Sequence, residues 1–131
     1  MGKEEKYILI SNKLVFEGEY LNYKRNGKGK EYDLNAKLIF KGEYLNGKRS
    51  GKGKEFYSDG KIKFDGEYLN GKIWNGKVYN KNGDIEYEIT DGKGNIKEFD
   101  KNGKLEFEGE YLNGIIWNGK DIIKMVIWYM K

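Results

Sequence analysis

The sequence contains no cysteine, no histidine and no proline. Without cysteine there is no disulfide, no thiol nucleophile and no site for palmitoylation. Without histidine the commonest acid–base side chain and the commonest metal ligand are both missing. Apolar residues are scarce as well, at 37%, below the usual range for a globular domain. No hydrophobic run is long enough to span a bilayer. No Asn-x-Ser/Thr sequon occurs, and the opening MGKEEK carries Lys6 where a myristoylation pattern needs Ser or Thr. No signal peptide is recognisable. The expected location is the cytoplasm, with attachment at a membrane or the cytoskeleton as an extension of that expectation.

A strong charge of one sign is also lacking. The net charge is +4, from 25 basic and 21 acidic residues with interspersed signs. That pattern describes a solvated, salt-bridged surface and not a dedicated nucleic-acid binder. What the chain does have is 19 glycines, 11 tyrosines, 6 phenylalanines and 3 tryptophans. Many tight turns and a recurring set of aromatics are the material of a sheet with one buried face.

The aromatics recur in register. FEGEYLN stands at 16–22, FKGEYLN at 40–46, FDGEYLN at 64–70 and FEGEYLN at 107–113, with a worn copy from Tyr87. Unit starts at 16, 40, 64, 87 and 107 give spacings of 24, 24, 23 and 20 residues. A fixed period in the twenties marks a repeat array. The chain divides into a half-repeat at 7–15, repeats at 16–39, 40–63, 64–86, 87–106 and 107–120, and an atypical tail at 121–131. Residues 1–6 are expected to fray. The half-repeat is expected to cover the open edge of the first hairpin.

Each unit reads as two strands and two turns. Phe40, Gly42 and Tyr44 alternate with Lys41 and Glu43, the period of a half-buried strand. Asn46-Gly47 is the strongest short hairpin signal. If Ser58-Asp59-Gly60 is a three-residue loop with Gly60 left-handed, Phe56 faces Ile62. The same register pairs Tyr32 with Leu38, Tyr79 with Ile85 and Phe99 with Leu105, and puts Glu55 against Lys63. Ala36 replaces the loop glycine in the first unit and should take up that turn less easily. The glycines inside strands invite a covering ring: Tyr20 over Gly27 and Gly29, Tyr44 over Gly51 and Gly53. Relaxation of the strand for curvature is the alternative. The fourth unit lacks Glu-Tyr-Leu-Asn and predicts a short hairpin at Asp91-Gly92.

The tail 121–131 is a closing strand, a short helix or a frame-shifted repeat. With one permitted set of AT-rich codons, reading from the third base of the Asp121 codon yields YNKNGNMVYE, close to YNKNGDIEYE at 79–88. The coding sequence decides between these.

The run FKGEYLNGKRSGKGKEF resembles the membrane occupation and recognition nexus (MORN) repeat. Phe40, Gly42, Glu43, Tyr44, Asn46, Gly47, Gly51 and Gly53 occupy its signature positions, and the resemblance extends over roughly 14–120. Units three to five depart from it by losing the Gly-x-Gly pair. The resemblance implies an all-β fold: tandem antiparallel hairpins in one elongated, twisted, single-layer sheet with a groove along one face. It implies no reaction. Such repeats serve as scaffolds, dimerisation modules and adaptors, and binding of acidic phospholipids has been proposed for members of the family.

Candidate chemistry is thin. Glu17 with Glu19, and Glu108 with Glu110, share a face two residues apart, as an acid–base dyad would. Their recurrence in unit after unit fits cross-strand pairing with Lys28 or Lys30 better. Gly27–Lys30 and Gly51–Lys54 meet neither the P-loop nor the dinucleotide pattern. Asp100-Lys101-Asn102-Gly103 lacks the remaining ligands of a calcium loop. No catalytic residue, cofactor or metal is expected. Two surfaces remain. Tyr20, Tyr44, Tyr68, Trp74, Tyr111 and Trp117 would line an aromatic face for a protein or peptide partner. Lys24, Arg25, Lys28, Lys30, Lys48, Arg49, Lys52 and Lys54 would form a strip for acidic lipid headgroups. The expected role is a non-catalytic interaction or scaffold module. Alternatives are a peripheral membrane adaptor and, from the Trp-Asn-Gly-Lys units, a protein resembling bacterial antitoxin-like repeats. Self-association through terminal strands is a further expectation.

Overall fold

A computed structural model describes residues 2–117. The tail at 121–131, with its closing-strand and frame-shift readings, lies outside the described residues. Among the described residues eleven antiparallel strands follow one another: β1 (Glu4–Ile10), β2 (Lys13–Leu21), β3 (Lys24–Tyr32), β4 (Leu38–Leu45), β5 (Lys48–Phe56), β6 (Ile62–Leu69), β7 (Lys72–Tyr79), β8 (Ile85–Ile89), β9 (Lys93–Phe99), β10 (Leu105–Leu112) and β11 (Ile115–Trp117). The first eight form a single sheet in sequence order. β1 pairs along the whole of β2, from Glu4 opposite Tyr20 to Ile10 opposite Lys13, so strand structure begins inside the segment expected to fray. Nine-residue β2 offers backbone partners that far.

Turn chemistry sets the register. Asn46-Gly47, Asn70-Gly71, Asp91-Gly92 and Asn113-Gly114 each place two successive residues at positive φ, the two-residue turn that matches strand twist. Asn22-Tyr23 does so with a tyrosine at φ 68. At the opposite edge the three-residue loops pair Phe56 with Ile62, Tyr32 with Leu38, Tyr79 with Ile85 and Phe99 with Leu105, as the residue pattern predicts. Ala36 is left-handed there, at φ 63. The pairing of Glu55 with Lys63 is not formed. A bulge next to Phe56 places Phe64 opposite Glu55 instead. Asp33, Asn80 and Asp100 each accept two backbone amides across their loop, for example Asn102 N at 2.8 Å and Lys104 N at 3.0 Å onto Asp100 Oδ1. The carboxylate that suggested a calcium loop is thus a turn acceptor.

One face of the sheet is aromatic. Phe16, Phe40 and Phe64 are fully buried, and Tyr44 and Tyr68 nearly so. Burying each Phe side chain contributes about 2–3 kcal/mol. The rings form an unbroken edge-to-face series, Tyr20–Phe16–Tyr44–Phe40–Tyr68–Phe64, with centroids 5.4–5.8 Å apart. Each tyrosine in the middle of the series touches the phenylalanine of its own unit and that of the unit before, a contact geometry worth ~1 kcal/mol beyond area. The series replaces the second layer that a single sheet lacks.

The strand glycines make room for these rings, in a pairing that differs from the expected one. A Cβ on Gly29 would lie 2.8 Å from Phe16 and 2.9 Å from Tyr44; on Gly53 it would lie 2.8 Å from Phe40 and 2.9 Å from Tyr68. The covering rings are therefore the phenylalanine of the same unit and the tyrosine of the next, and not Tyr20 and Tyr44 of the same unit. Gly27 and Gly51 lie under no ring. They sit at positive φ beside the carboxylates of Glu19 and Glu43, which accept the backbone amides of Lys28 and Lys52 at 2.8 and 3.0 Å.

The sheet splits where the repeat is worn. β8 and β9 share one bridge, Thr90 with Lys93, around the Asp91-Gly92 turn. Beyond it they part, and β9, β10 and β11 form a second sheet of three strands. The physical reason lies in side chains that replace glycines. Ile89 and Ile96 are buried together with Tyr111 and Ile116, and Ile73, Tyr87 and Phe107 pack against them. Branched side chains between the two strands' aromatic-side faces fill space that a continued flat ladder would leave to bare backbone. The turn edge stays continuous across the split: Gly47 N donates to Arg25 O, Gly71 N to Arg49 O, Gly92 N to Trp74 O and Asn113 N to Gly92 O, all at 2.8–2.9 Å.

Candidate functional site

The aromatic face is capped by charge in its first two units. The Arg25 guanidinium carbon lies 4.0 Å from the Phe16 ring centroid and that of Arg49 lies 3.9 Å from Phe40. Each phenylalanine is held between glycine backbone below and a guanidinium above. Glu31 gathers the polar ends. Its Oε2 accepts Arg49 Nε at 3.1 Å and Nη2 at 3.0 Å and the Tyr44 hydroxyl, and Arg25 approaches its Oε1 at 4.0 Å. Glu55 accepts the Tyr68 hydroxyl, with Arg49 at 3.7 Å. Burial, then the adjacent carboxylate, pushes the Tyr44 and Tyr68 phenols far above their ordinary value. Tyr32, hydrogen-bonded to Glu17 at 2.5 Å, is pushed up to about 12. Burial works against the Arg49 charge, but Glu31, Tyr68 and Glu55 outweigh it and raise its pKa.

The third unit replaces this arrangement with an apolar one. Ile73 stands where Arg25 and Arg49 stand, opposite the repeat tyrosine, and Val78 stands where Glu31 and Glu55 stand, opposite the repeat phenylalanine. With the guanidinium and its acceptor both gone, the face opens. A cavity of about 590 Å³ lies at the junction of the two sheets. Phe64, Tyr68, Ile73, Val78, Tyr87 and Ile116 are among its walls, with Lys63 and Lys72 among its charged lining residues. The Tyr111 hydroxyl donates across the junction to Ile73 O at 2.8 Å.

The eight residues of the basic strip divide between three places. Arg25 and Arg49 cover the aromatic face. Lys24 and Lys48 lie at the turn edge, their stems over the next unit's Gly47 and Gly71. Lys28, Lys30, Lys52 and Lys54 remain on the opposite, charged face, in a shallow groove with Glu17, Glu19, Lys41, Glu43, Asp65 and Glu67. Strand alternation makes this division: the arginines stand at odd positions, opposite Tyr20 and Tyr44, and the lysines at even ones. Lys41 was missed by sequence reasoning. It lies directly between Lys30 and Lys54 on adjacent strands, a row of like charges that only the register shows.

The six aromatics divide too. Tyr44, Tyr68 and Tyr111 are buried and Tyr20 is partly so. Trp74 packs its ring on Gly92, so it serves the junction turn. Trp117 is exposed. The Glu17 and Glu19 carboxylates are occupied by the Tyr32 hydroxyl and the Lys28 amide. Among the described residues, no group of three or more acidic side chains is placed to hold a metal ion, and no helix is long and apolar enough to cross a membrane.

Consecutive antiparallel hairpins, a two-residue left-handed turn in every unit and one shared aromatic series define a β-hairpin repeat protein. The family model of the MORN repeat matches residues 16–33 and 40–62, the two units with a complete Gly-x-Gly pair and an arginine cap. At these two units the chain carries MORN repeats. No curated protein sequence matches it. MORN repeats are non-enzymatic modules that generally take part in protein or membrane interactions.

Proposed function

We propose that the chain is a non-catalytic scaffold that holds a protein partner at the junction of its two sheets. The observation that carries this reading is the junction cavity, with apolar walls contributed by both sheets and lysines at Lys63 and Lys72. Elsewhere the aromatic face closes on itself, so the surface that offers apolar anchors lies where the repeat degenerates. Affinity capture from the source cells tests this. A protein retained by the native chain at defined stoichiometry, and released by Lys63→Glu with Lys72→Glu, supports the reading. Retention that ignores both substitutions removes it. The same capture would reveal a toxin, the partner expected of an antitoxin-like protein. Light scattering at high concentration tests self-association through the open edge of β1.

A second reading has its own observation. Lys30, Lys41 and Lys54 face one another on adjacent strands, where like charges cost stability, on a face that an acidic lipid surface would neutralise. Flotation with acidic vesicles at rising salt tests it. Binding through charge falls steeply as the Debye length shrinks, and flotation unaffected by Lys41→Gln would count against this face.

A further inference from the structure

The array carries its own comparison at one position. Lys-Glu-aromatic recurs as Lys30-Glu31-Tyr32, Lys54-Glu55-Phe56 and Lys97-Glu98-Phe99. Glu31 lies opposite Phe16 and Phe40, Glu55 opposite Phe40 and Phe64, and Glu98 opposite Phe107. The first two carboxylates receive a tyrosine hydroxyl and an arginine. Glu98 receives neither among the described residues.

Each partner it would inherit has been replaced. The arginine position is Gly94 in its own unit and Ile116 in the next. Tyr111, the counterpart of Tyr44 and Tyr68, sends its hydroxyl to Ile73 O. The ring environment persists, with Phe107 opposite and Tyr87 within electrostatic reach. Burial pushes the Glu98 carboxyl up, Glu86 and Glu106 add to that, and Lys63 opposes it. A carboxylate in this setting favours an added cation. The chain cannot supply a further guanidinium, since Arg25 and Arg49 are its two arginines and both are engaged.

We propose that Glu98, with Phe107 and Tyr87 beside it, is a docking socket for an arginine side chain of a protein partner. The proposal rests on the interaction-module reading and supplies the chemistry of one contact. The geometry it reproduces is that of Arg49, whose guanidinium lies on one ring and forks towards a carboxylate. Arginine suits such a place because its planar cation stacks on a ring while its fork of N–H groups donates to a carboxylate; a lysine ammonium is a point charge with no plane to stack.

The test uses the whole chain and N-acetyl-arginine amide, followed by NMR of the glutamate carboxyl carbons and aromatic rings. Saturable shifts centred on Glu98, Tyr87 and Phe107 are expected, several-fold weaker with N-acetyl-lysine amide and absent with the neutral N-acetyl-citrulline amide. Glu98→Gln should abolish them, and Glu108→Gln, on the opposite face beside Lys97, should not. Equal responses to arginine and lysine, a response that survives Glu98→Gln, or no saturation would each overturn the socket. Glu98→Gln has a second readout. Because folding raises this carboxyl's pKa, its ionisation opposes folding as pH rises through the carboxylate range. The variant should therefore melt higher than the native chain at pH 7 and not at pH 3, and equal melting at both would contradict an unpartnered Glu98. Arginine saturation without any captured protein would remove the partner reading and keep the socket. A captured partner with no arginine response would do the reverse.

Discussion

Glu31 is the side chain on which the largest number of polar contacts converge, and its replacement by valine gives the sharpest test of the packing scheme. Glu31→Val copies what the third unit has at Val78, without the accompanying change of arginine to isoleucine. The nearly buried Tyr44 hydroxyl loses a charged acceptor, a loss of about 1.5–3 kcal/mol for a bond of this kind. The Arg49 pair is a quarter exposed at the arginine and adds about 0.5–1 kcal/mol. Arg25, at 4.0 Å, adds less. Glu31→Val should therefore cost about 2–4 kcal/mol, a large part of the stability of a small domain. Urea denaturation with an unchanged m-value is the assay. A cycle with Tyr44→Phe apportions the loss: the two substitutions should couple by about 1–2 kcal/mol, because the second removes a hydroxyl the first has already orphaned. Additivity within about 0.5 kcal/mol, or a cost for Glu31→Val below that of an ordinary surface change, would show Glu31 to be a solvated surface carboxylate and refute the relay of charge across the aromatic face.

Three further outcomes follow from the same geometry. Gly53→Ala should cost about 1–3 kcal/mol by overpacking, since its Cβ meets two buried rings, whereas Gly60→Ala has open space and pays only for its φ of 89, roughly 1 kcal/mol; thermal melts of the two variants should rank them in that order. Ala36→Gly should stabilise by up to about 1 kcal/mol, relief of a left-handed alanine offset by the freer unfolded chain, checked by the urea midpoint. Stability should hold up to the ordinary tyrosine value of 10 and fall as pH rises past it. Folded Tyr32 keeps its proton up to about 12 and Tyr44 and Tyr68 beyond that, so the unfolded chain loses protons first. Melting followed with tyrosinate absorbance should show this fall steepest in the native chain and reduced in Tyr44→Phe.

Some of the site was open to reading and some was not. The aromatic–aliphatic pairs at the three-residue loops follow from loop length alone, and the short hairpin at Asp91-Gly92 follows from the missing Glu-Tyr-Leu-Asn. Arg25 and Lys28 look alike in the sequence. They lie on opposite faces because they stand three positions apart on one strand, which alternation alone shows. The bulge at Gly27, held by the Glu19 carboxylate, was not legible, because bulges are set by local contacts that residue spacing does not record.

The sequence alone determined the all-β class, the repeat, the turns and the alternation that buries Phe and Tyr, because these depend on period and on residues adjacent along the chain. Only the tertiary structure decided which ring covers which glycine, which ring and carboxylate each arginine reaches and where the sheet parts. Gly29 is covered by a tyrosine 15 positions further on, at Tyr44, and Glu98 differs from Glu31 in Gly94 on its own strand and in residues on other strands. Such differences are properties of neighbours in space. They appear once strand register has brought Phe107 and Tyr87 beside a carboxylate whose own sequence, Lys-Glu-Phe, matches that of Glu55.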